Sequence, residues 1–185
     1  MKKLLFSVMI LLSGFVQAQS FINPDTVCYQ TAGSTYEIAP ILGVTFQWTV
    51  ASPGILVSGQ GTNAIQVNWS NAAPGLIPNG ITVTAIGQSC PVTPVDLDVF
   101  IYQPIVVINP IGPFCTGDAC VSLLASIPNG QFTGIGVLNG QFCPNISGNG
   151  TFQVNYSVNS AGCPATAVLN ITVNDSVNLG PIEHN

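Results

Sequence analysis

The sequence predicts an all-β protein made of two antiparallel β-sandwiches in tandem, and three observations predict it. One landmark stretch occurs twice. Gly59-Gln60-Gly61-Thr62 runs into Ala64-Ile65-Gln66-Val67-Asn68-Trp69, and a shorter copy, Gly148-Asn149-Gly150-Thr151, runs into Phe152-Gln153-Val154-Asn155-Tyr156. Cysteines bracket the two copies in the same order: Cys28 before and Cys90-Pro91 after the first, Cys115 before and Cys163-Pro164 after the second. One unit used twice accounts for this self-similarity. Finally, short stretches of alternating apolar and polar residues lie between Gly, Pro and Asn turns, with no helical period.

A processing segment precedes the first unit. Lys2 and Lys3 form a basic start, residues 4–16 an apolar run broken by Ser13 and Gly14, and Val16-Gln17-Ala18 a small-residue cleavage signal. Residues 1–18 are therefore expected to be a signal peptide, with a mature chain that begins near Gln19 and is secreted to the cell surface or periplasm. The apolar run is short for a bilayer span, so membrane insertion is not expected. Only two of the 185 residues are basic, Lys2 and Lys3, against seven acids: Asp25, Glu37, Asp96, Asp98, Asp118, Asp175 and Glu183. A mature chain without a cation cannot neutralise phosphates, which argues against nucleic acid and anionic membranes as partners. Gly, Asn, Ser, Thr and Gln supply the polar surface instead. Such a surface suits a protein that packs against copies of itself or other cell-surface proteins, or carries sugars.

In the first unit, residues 19–103, strands are expected at 26–29 and 34–39, either side of a Gly33 turn. The next is 44–50, where Val44-Thr45-Phe46-Gln47-Trp48-Thr49-Val50 alternates throughout. Pro53-Gly54 ends it, and strands at 55–57, 64–69, 80–87 and 95–102 follow. Residues 71–80, with Pro74, Gly75, Pro78 and Asn79-Gly80, read as a loop. Seven short strands at intervals of roughly ten residues make a Greek-key sandwich. The second unit, residues 104–174, has expected strands at 104–108, 120–125, 131–138, 151–158 and 166–173. Its Phe132-Thr133-Gly134-Ile135-Gly136-Val137 segment implies bulges or close backbone approach. Residues 175–185 lose the pattern and read as a tail.

Six cysteines in an exported chain read as three disulfides. The repeat pairs Cys28 with Cys90 and, by analogy, Cys115 with Cys163, leaving Cys120 with Cys143 as an added staple. The spacings contain no Cys-x-x-Cys, and the single histidine, His184, sits in the tail, so neither a metal nor a cofactor is expected. Catalysis is not expected either. Without arginine, with no lysine after processing and no free thiol, a general base or oxyanion helper would have to come from scattered carboxylates or backbone groups. Asp96 and Asp98 lie two apart and share a strand face; acids that discourage edge pairing are favoured over half a calcium site. Asp118 reads as a turn residue. Trp48, mid-strand, reads as core beside a disulfide. Trp69 and Tyr156, which close the two landmark copies, also read first as core and second as an aromatic contact pair for a sugar.

The order Cys28, Thr35-Tyr36, Phe46-Gln47-Trp48-Thr49-Val50, Ser58-Gly59-Gln60-Gly61-Thr62, Ile65-Gln66-Val67-Asn68-Trp69 and Cys90-Pro91 resembles the PKD-like modules of Bacteroidota surface proteins. The second unit, through Phe132 to Val137, Phe142-Cys143-Pro144, Gly148-Asn149-Gly150-Thr151 and Gly162-Cys163, is similar to Ig-like repeats of the same proteins. The resemblance implies tandem Ig-like (PKD-like) antiparallel sandwiches outside the cell, serving as spacers, adhesins or assembly subunits. Asp25-Thr26-Val27 and Asp175-Ser176-Val177 resemble the O-glycosylation sequon of that bacterial group, making Thr26 and Ser176 candidate sites. Members of this kind are long arrays with a C-terminal sorting domain, whereas two modules and a short tail suggest a stand-alone subunit. The expectation is a non-enzymatic, secreted structural or adhesive subunit that assembles into a fibre or surface layer through strand edges and terminal segments. The alternative is an accessory binding module for a glycan or for an outer-envelope secretion or gliding complex. A hydrolase comes last.

Overall fold

The computed structural model describes residues 24–87, 92–177 and 180; the expected signal peptide, Cys90 and the end of the tail lie outside them. The chain divides into two compact units, Met1–Gln103 and Pro104–Asn185. Nearly every ordered element is a strand, and each unit is a β-sandwich.

The first unit contains β1 (Asp25–Cys28), β2 (Ser34–Glu37), β3 (Thr45–Val50), β4 (Ile55–Ser58), β5 (Ala64–Asn68), β6 (Gly75–Ile86) and β7 (Val95–Tyr102). One sheet has the order β1-β7-β6-β3, the other β2-β5-β4. All pairs are antiparallel except β1 with β7. Alternation dictates which face each side chain takes. Along β3, Phe46 and Trp48 are buried while Thr45, Gln47 and Thr49 are exposed; along β5, Ile65 and Val67 are buried and Gln66 is exposed. These residues meet Val27, Tyr36, Trp69, Ile81, Val83, Val99 and Ile101 in one core. Fully burying a side chain of that kind contributes roughly 1.5–3 kcal/mol. Such burial has to serve, since the described residues include no lysine, arginine or histidine to form an ion pair.

Residues 75–80, expected as a loop, instead begin β6. The register of β6 on β7 shifts between Ile77 and Ile81, so Pro78-Asn79-Gly80 form a bulge, one of the few places where a sheet tolerates proline. Gly80 packs against Val99, and a Cβ there would lie 2.8 Å from a Val99 methyl. The turn-like composition marks a kink within a strand.

The second unit contains β8 (Phe114–Cys115), β9 (Val121–Ser122), β10 (Gln131–Thr133), β11 (Val137–Leu138), β12 (Gln141–Phe142), the one-turn α1 (Pro144–Ser147), β13 (Gly150–Ser160) and β14 (Cys163–Asn174). Its sheets, β10-β13-β14-β8 and β11-β12-β9, reproduce the strand order of the first unit, with β8 parallel to β14 as β1 is to β7. The core gathers Ile108, Leu123, Phe142, Val154, Tyr156, Ile171 and Val173. The β13–β14 hairpin is in register from Gly150↔Val173 to Ser160↔Cys163, leaving Ala161-Gly162 as a two-residue turn. Both turn residues have positive φ, 51° and 85°, as this tight turn requires if its twist is to match the strands.

Three expectations for this unit need correction. Residues 131–138 are not one strand. Glycines 134 and 136, both at positive φ, carry the chain from β10 in one sheet to β11 in the other. Residues 104–108 form no regular strand, only a bridge from Ile108 to Ala125. Lastly, the two landmark stretches are not equivalent. The first leads into β5 of the three-stranded sheet, while the second leads into β13, the counterpart of β6. The counterpart of β5 is β12, with Phe142 fully buried. The whole unit recurs, and the short motif marks two different turns within it.

Candidate assembly surface

A sandwich without lysine must protect its sheet edges by other means, because edge lysines are a usual deterrent to unwanted pairing. In the first unit the landmark stretch itself closes the outer edge of β3. The Phe46 N–H donates to the Gly61 carbonyl at 3.4 Å, and the Gly61 N–H donates back at 3.0 Å. Two residues along, a side chain takes over from backbone. The Trp48 N–H donates to Gln60 Oε1 at 2.8 Å, and Gln60 Nε2 donates to the Trp48 carbonyl at 2.9 Å. Trp48 Nε1 in turn donates to the Thr62 carbonyl at 2.8 Å. The Thr62 hydroxyl sits 2.8 and 2.7 Å from the Gly59 and Ala64 carbonyl oxygens. Gly59 has φ 95°, and a Cβ there would collide with the Ala64 carbonyl, so only glycine fits. This clasp was not readable in advance. The repeated Gly-x-Gly-Thr signalled a turn, but what Gln60 reaches depends on pairing twelve residues away.

Among the described residues, the second unit has no such clasp. β14 pairs with β13 along its length, but on its other side it meets β8 only at Val173 and Asn174. Among the described residues, no backbone hydrogen bond reaches the outer side of residues 164–172. At about 3.3 Å per residue the open edge is roughly 30 Å long. Its sequence, Pro164-Ala165-Thr166-Ala167-Val168-Leu169-Asn170-Ile171-Thr172, holds no charge. Thr166, Val168 and Asn170 are exposed, while Ala165 and Ile171 point into the core. An uncharged edge rich in small and β-branched residues is a template for another strand.

The cysteines are arranged differently from expectation. Cys120 and Cys143 are joined, their Cα atoms 4.0 Å apart, as the β9–β12 register places them directly opposite one another. The pair Cys115–Cys163 does not form: Cys115 is free and exposed, whereas Cys163 is in a disulfide. Topology gives the reason. Cys115 lies beside Asn174, at the far end of β14 from Cys163, about 36 Å along the strand. A disulfide needs Cα atoms within about 7 Å. The recurring cysteines mark equivalent places in the two units, Cys28 on β1 and Cys115 on β8, and recurrence of place does not carry a pairing with it. Cys28 is in a disulfide, and its expected partner, Cys90, lies outside the described residues.

The aromatic contact pair is also corrected. Trp69 is fully buried, its Nε1 donating to the Tyr36 hydroxyl at 3.1 Å. Tyr156 is 2 % exposed; its hydroxyl donates to the Ile127 carbonyl at 2.6 Å and accepts the Gly130 N–H at 2.7 Å. Neither ring offers a face to a sugar, since each has its polar tip satisfied inside the protein. Burial, reinforced by the nearby Asp25 charge, pushes the Tyr36 hydroxyl well above the ordinary tyrosine range. Trp48 is core, as its place in the alternation implied.

The carboxylates go to separate local tasks. Asp96 accepts the Thr82 hydroxyl at 2.6 Å, and Asp98 accepts the Asn79 N–H of the β6 bulge at 2.8 Å. Asp118 accepts the Cys115 N–H at 2.8 Å in a turn. Thr26 is exposed on β1, while the Ser176 hydroxyl oxygen accepts the Gly117 N–H at 3.1 Å. A shallow hollow of about 420 Å³ on the second unit is lined by Asn129, Gln131, Ser157, Asn159 and Thr166 together with the apolar Val158, Pro164 and Ala165.

Among the described residues, no helix is long and apolar enough to cross a membrane. The disulfides fit an oxidising, extracellular setting. No curated protein matches the chain. Residues 16–96 match the PKD-like domain family, whose Ig-type sandwiches are structural or binding modules and typically non-catalytic. The first unit is thus similar to the PKD-like domain family, and it is carried in tandem with a second sandwich of the same strand order.

Proposed function

We propose that the chain is a secreted, non-enzymatic structural or adhesive subunit of the cell surface. One observation carries this reading: the long, uncharged, unpaired edge of β14. A protein that closes one edge with a dedicated side-chain clasp and leaves the other bare has a use for the bare one. The missing cations support it too, since contacts between copies can then rest on backbone hydrogen bonds and apolar burial. Electron microscopy of material sheared from the producing cells, with mass spectrometry of the same fraction, tests the proposal. Ordered assemblies containing this chain are expected; a chain recovered only as a soluble component of a large envelope complex would overturn it.

A second reading, an accessory module binding a glycan or an envelope complex, is favoured by the hollow on the second unit. It lacks the aromatic platform that sugars stack on, which makes it the weaker of the two. Of the candidate O-glycosylation sites, Thr26 is the better placed, since Ser176 is held by the turn around Gly117. The intact mass of the secreted chain and of a Thr26→Ala variant decides whether a glycan is attached there.

A further inference from the structure

We propose that a second copy of this chain pairs with β14 edge to edge, antiparallel, about a two-fold axis at Val168. The inference rests on the subunit reading above and specifies its contact. The open window runs from 164, next to the hairpin turn, to 172, beyond which β8 occupies the edge at Val173. Its midpoint is Val168. An antiparallel copy that fills the window without running into β8 must therefore set Val168 opposite Val168. A register shifted one way leaves part of the edge bare, and one shifted the other way drives part of the incoming strand onto β8.

The sequence is complementary to itself in that register. A two-fold axis perpendicular to the sheet keeps inner faces with inner faces and makes the contact isologous. On the outer face Val168 meets its own copy, and Thr166 meets Asn170, a pair able to hydrogen-bond. On the inner face Ala167 meets Leu169 and Ala165 meets Ile171, so small residues oppose large ones at both positions. Charge permits the approach as well. β14 contains no ionisable side chain, Cys163 being in a disulfide, and Asp175 would stand about 45 Å from its own copy. The first unit shows the opposite arrangement at the matching place. β1 covers only residues 99–102 of β7, and the uncovered part carries Asp96 and Asp98. The edge that must not pair bears acids, and its counterpart on β14 bears none.

Sedimentation analysis of the mature chain, with Val168→Lys and Val168→Glu variants, tests the proposal. Val168 is 56 % exposed, so neither change should disturb the separate chain, which matching melting curves would verify. The native chain should form a dimer in a concentration-dependent manner, with no covalent Cys115-linked species on a non-reducing gel. Each variant alone sets two like charges across the axis and should weaken the dimer by about tenfold or more. An equimolar mixture of the two variants should restore it. Self-association indifferent to both variants would overturn the edge pairing and leave the subunit reading standing. A chain monomeric up to about 1 mM would also overturn the pairing, and surface microscopy alone would then decide the subunit reading.

Discussion

Gln60 is an exposed residue whose amide satisfies both backbone groups of Trp48. Replacing it with leucine keeps the bulk and removes both bonds. Because water can reach an edge, Gln60→Leu should cost about 1 kcal/mol, read as a lower urea midpoint with an unchanged slope. Aggregation should rise with concentration, since the β3 edge is then half open. Tyr36 sets a pH limit. Its folded-state proton affinity is raised by burial and by Asp25, so its contribution is fully present below the unfolded tyrosine value of about 10 and is lost as pH rises beyond that. Urea titrations at pH 9 and pH 11 should show the native chain losing up to about 1.4 kcal/mol per pH unit from this group. Tyr36→Phe should be weaker at pH 9, having lost the acceptor for Trp69, but should fall less steeply. At this scale burial was legible in alternation, as with Trp48, whereas hydrogen-bond partners such as Gln60 and Trp48 were not. Alternation is local, while the partners are brought together by the fold.

Elements whose sequence alternates without interruption, such as β3 and β5, are where the pattern placed them. Those broken by glycine or proline are not: Pro78 and Gly80 disguise the start of β6, and Gly134 and Gly136 disguise a crossing between sheets as one strand. Both errors have one cause, since turn-forming residues serve kinks and crossings as readily as loops. The β13–β14 hairpin offers a test of its turn. Ala161 holds φ 51° without the benefit of glycine or asparagine, so Ala161→Asn should raise stability by about 0.5–1 kcal/mol, seen as a higher melting temperature. The Cys120–Cys143 bridge spans 23 residues and joins two very short strands. Replacing both cysteines with alanine should cost about 3 kcal/mol in guanidinium titrations, and a smaller loss would mean that the unfolded second unit stays compact without it.

For the molecule as a whole, the division into two sandwiches was legible because landmarks recur in order, although the cysteine pairing inferred from the same recurrence failed at Cys115. Every charged residue within the described strands and turns is an acid, and the only lysine or arginine side chains of the chain are Lys2 and Lys3. Added salt thus has no attraction to screen, only mutual repulsion. Raising sodium chloride from about 10 mM to about 0.5 M should hold or raise the melting temperature of the mature chain, and a fall of more than about 2 °C would contradict this account. Pairing about a two-fold axis consumes the β14 edge of both partners, so it yields closed pairs, and a filament would need a second surface. Both tryptophans, Trp48 and Trp69, are buried in the core of the first unit. Indole fluorescence therefore follows one half of the protein and is blind to the hairpin that carries the open edge. Far-ultraviolet ellipticity follows both halves, and the gap between the two unfolding curves measures how independently the sandwiches melt.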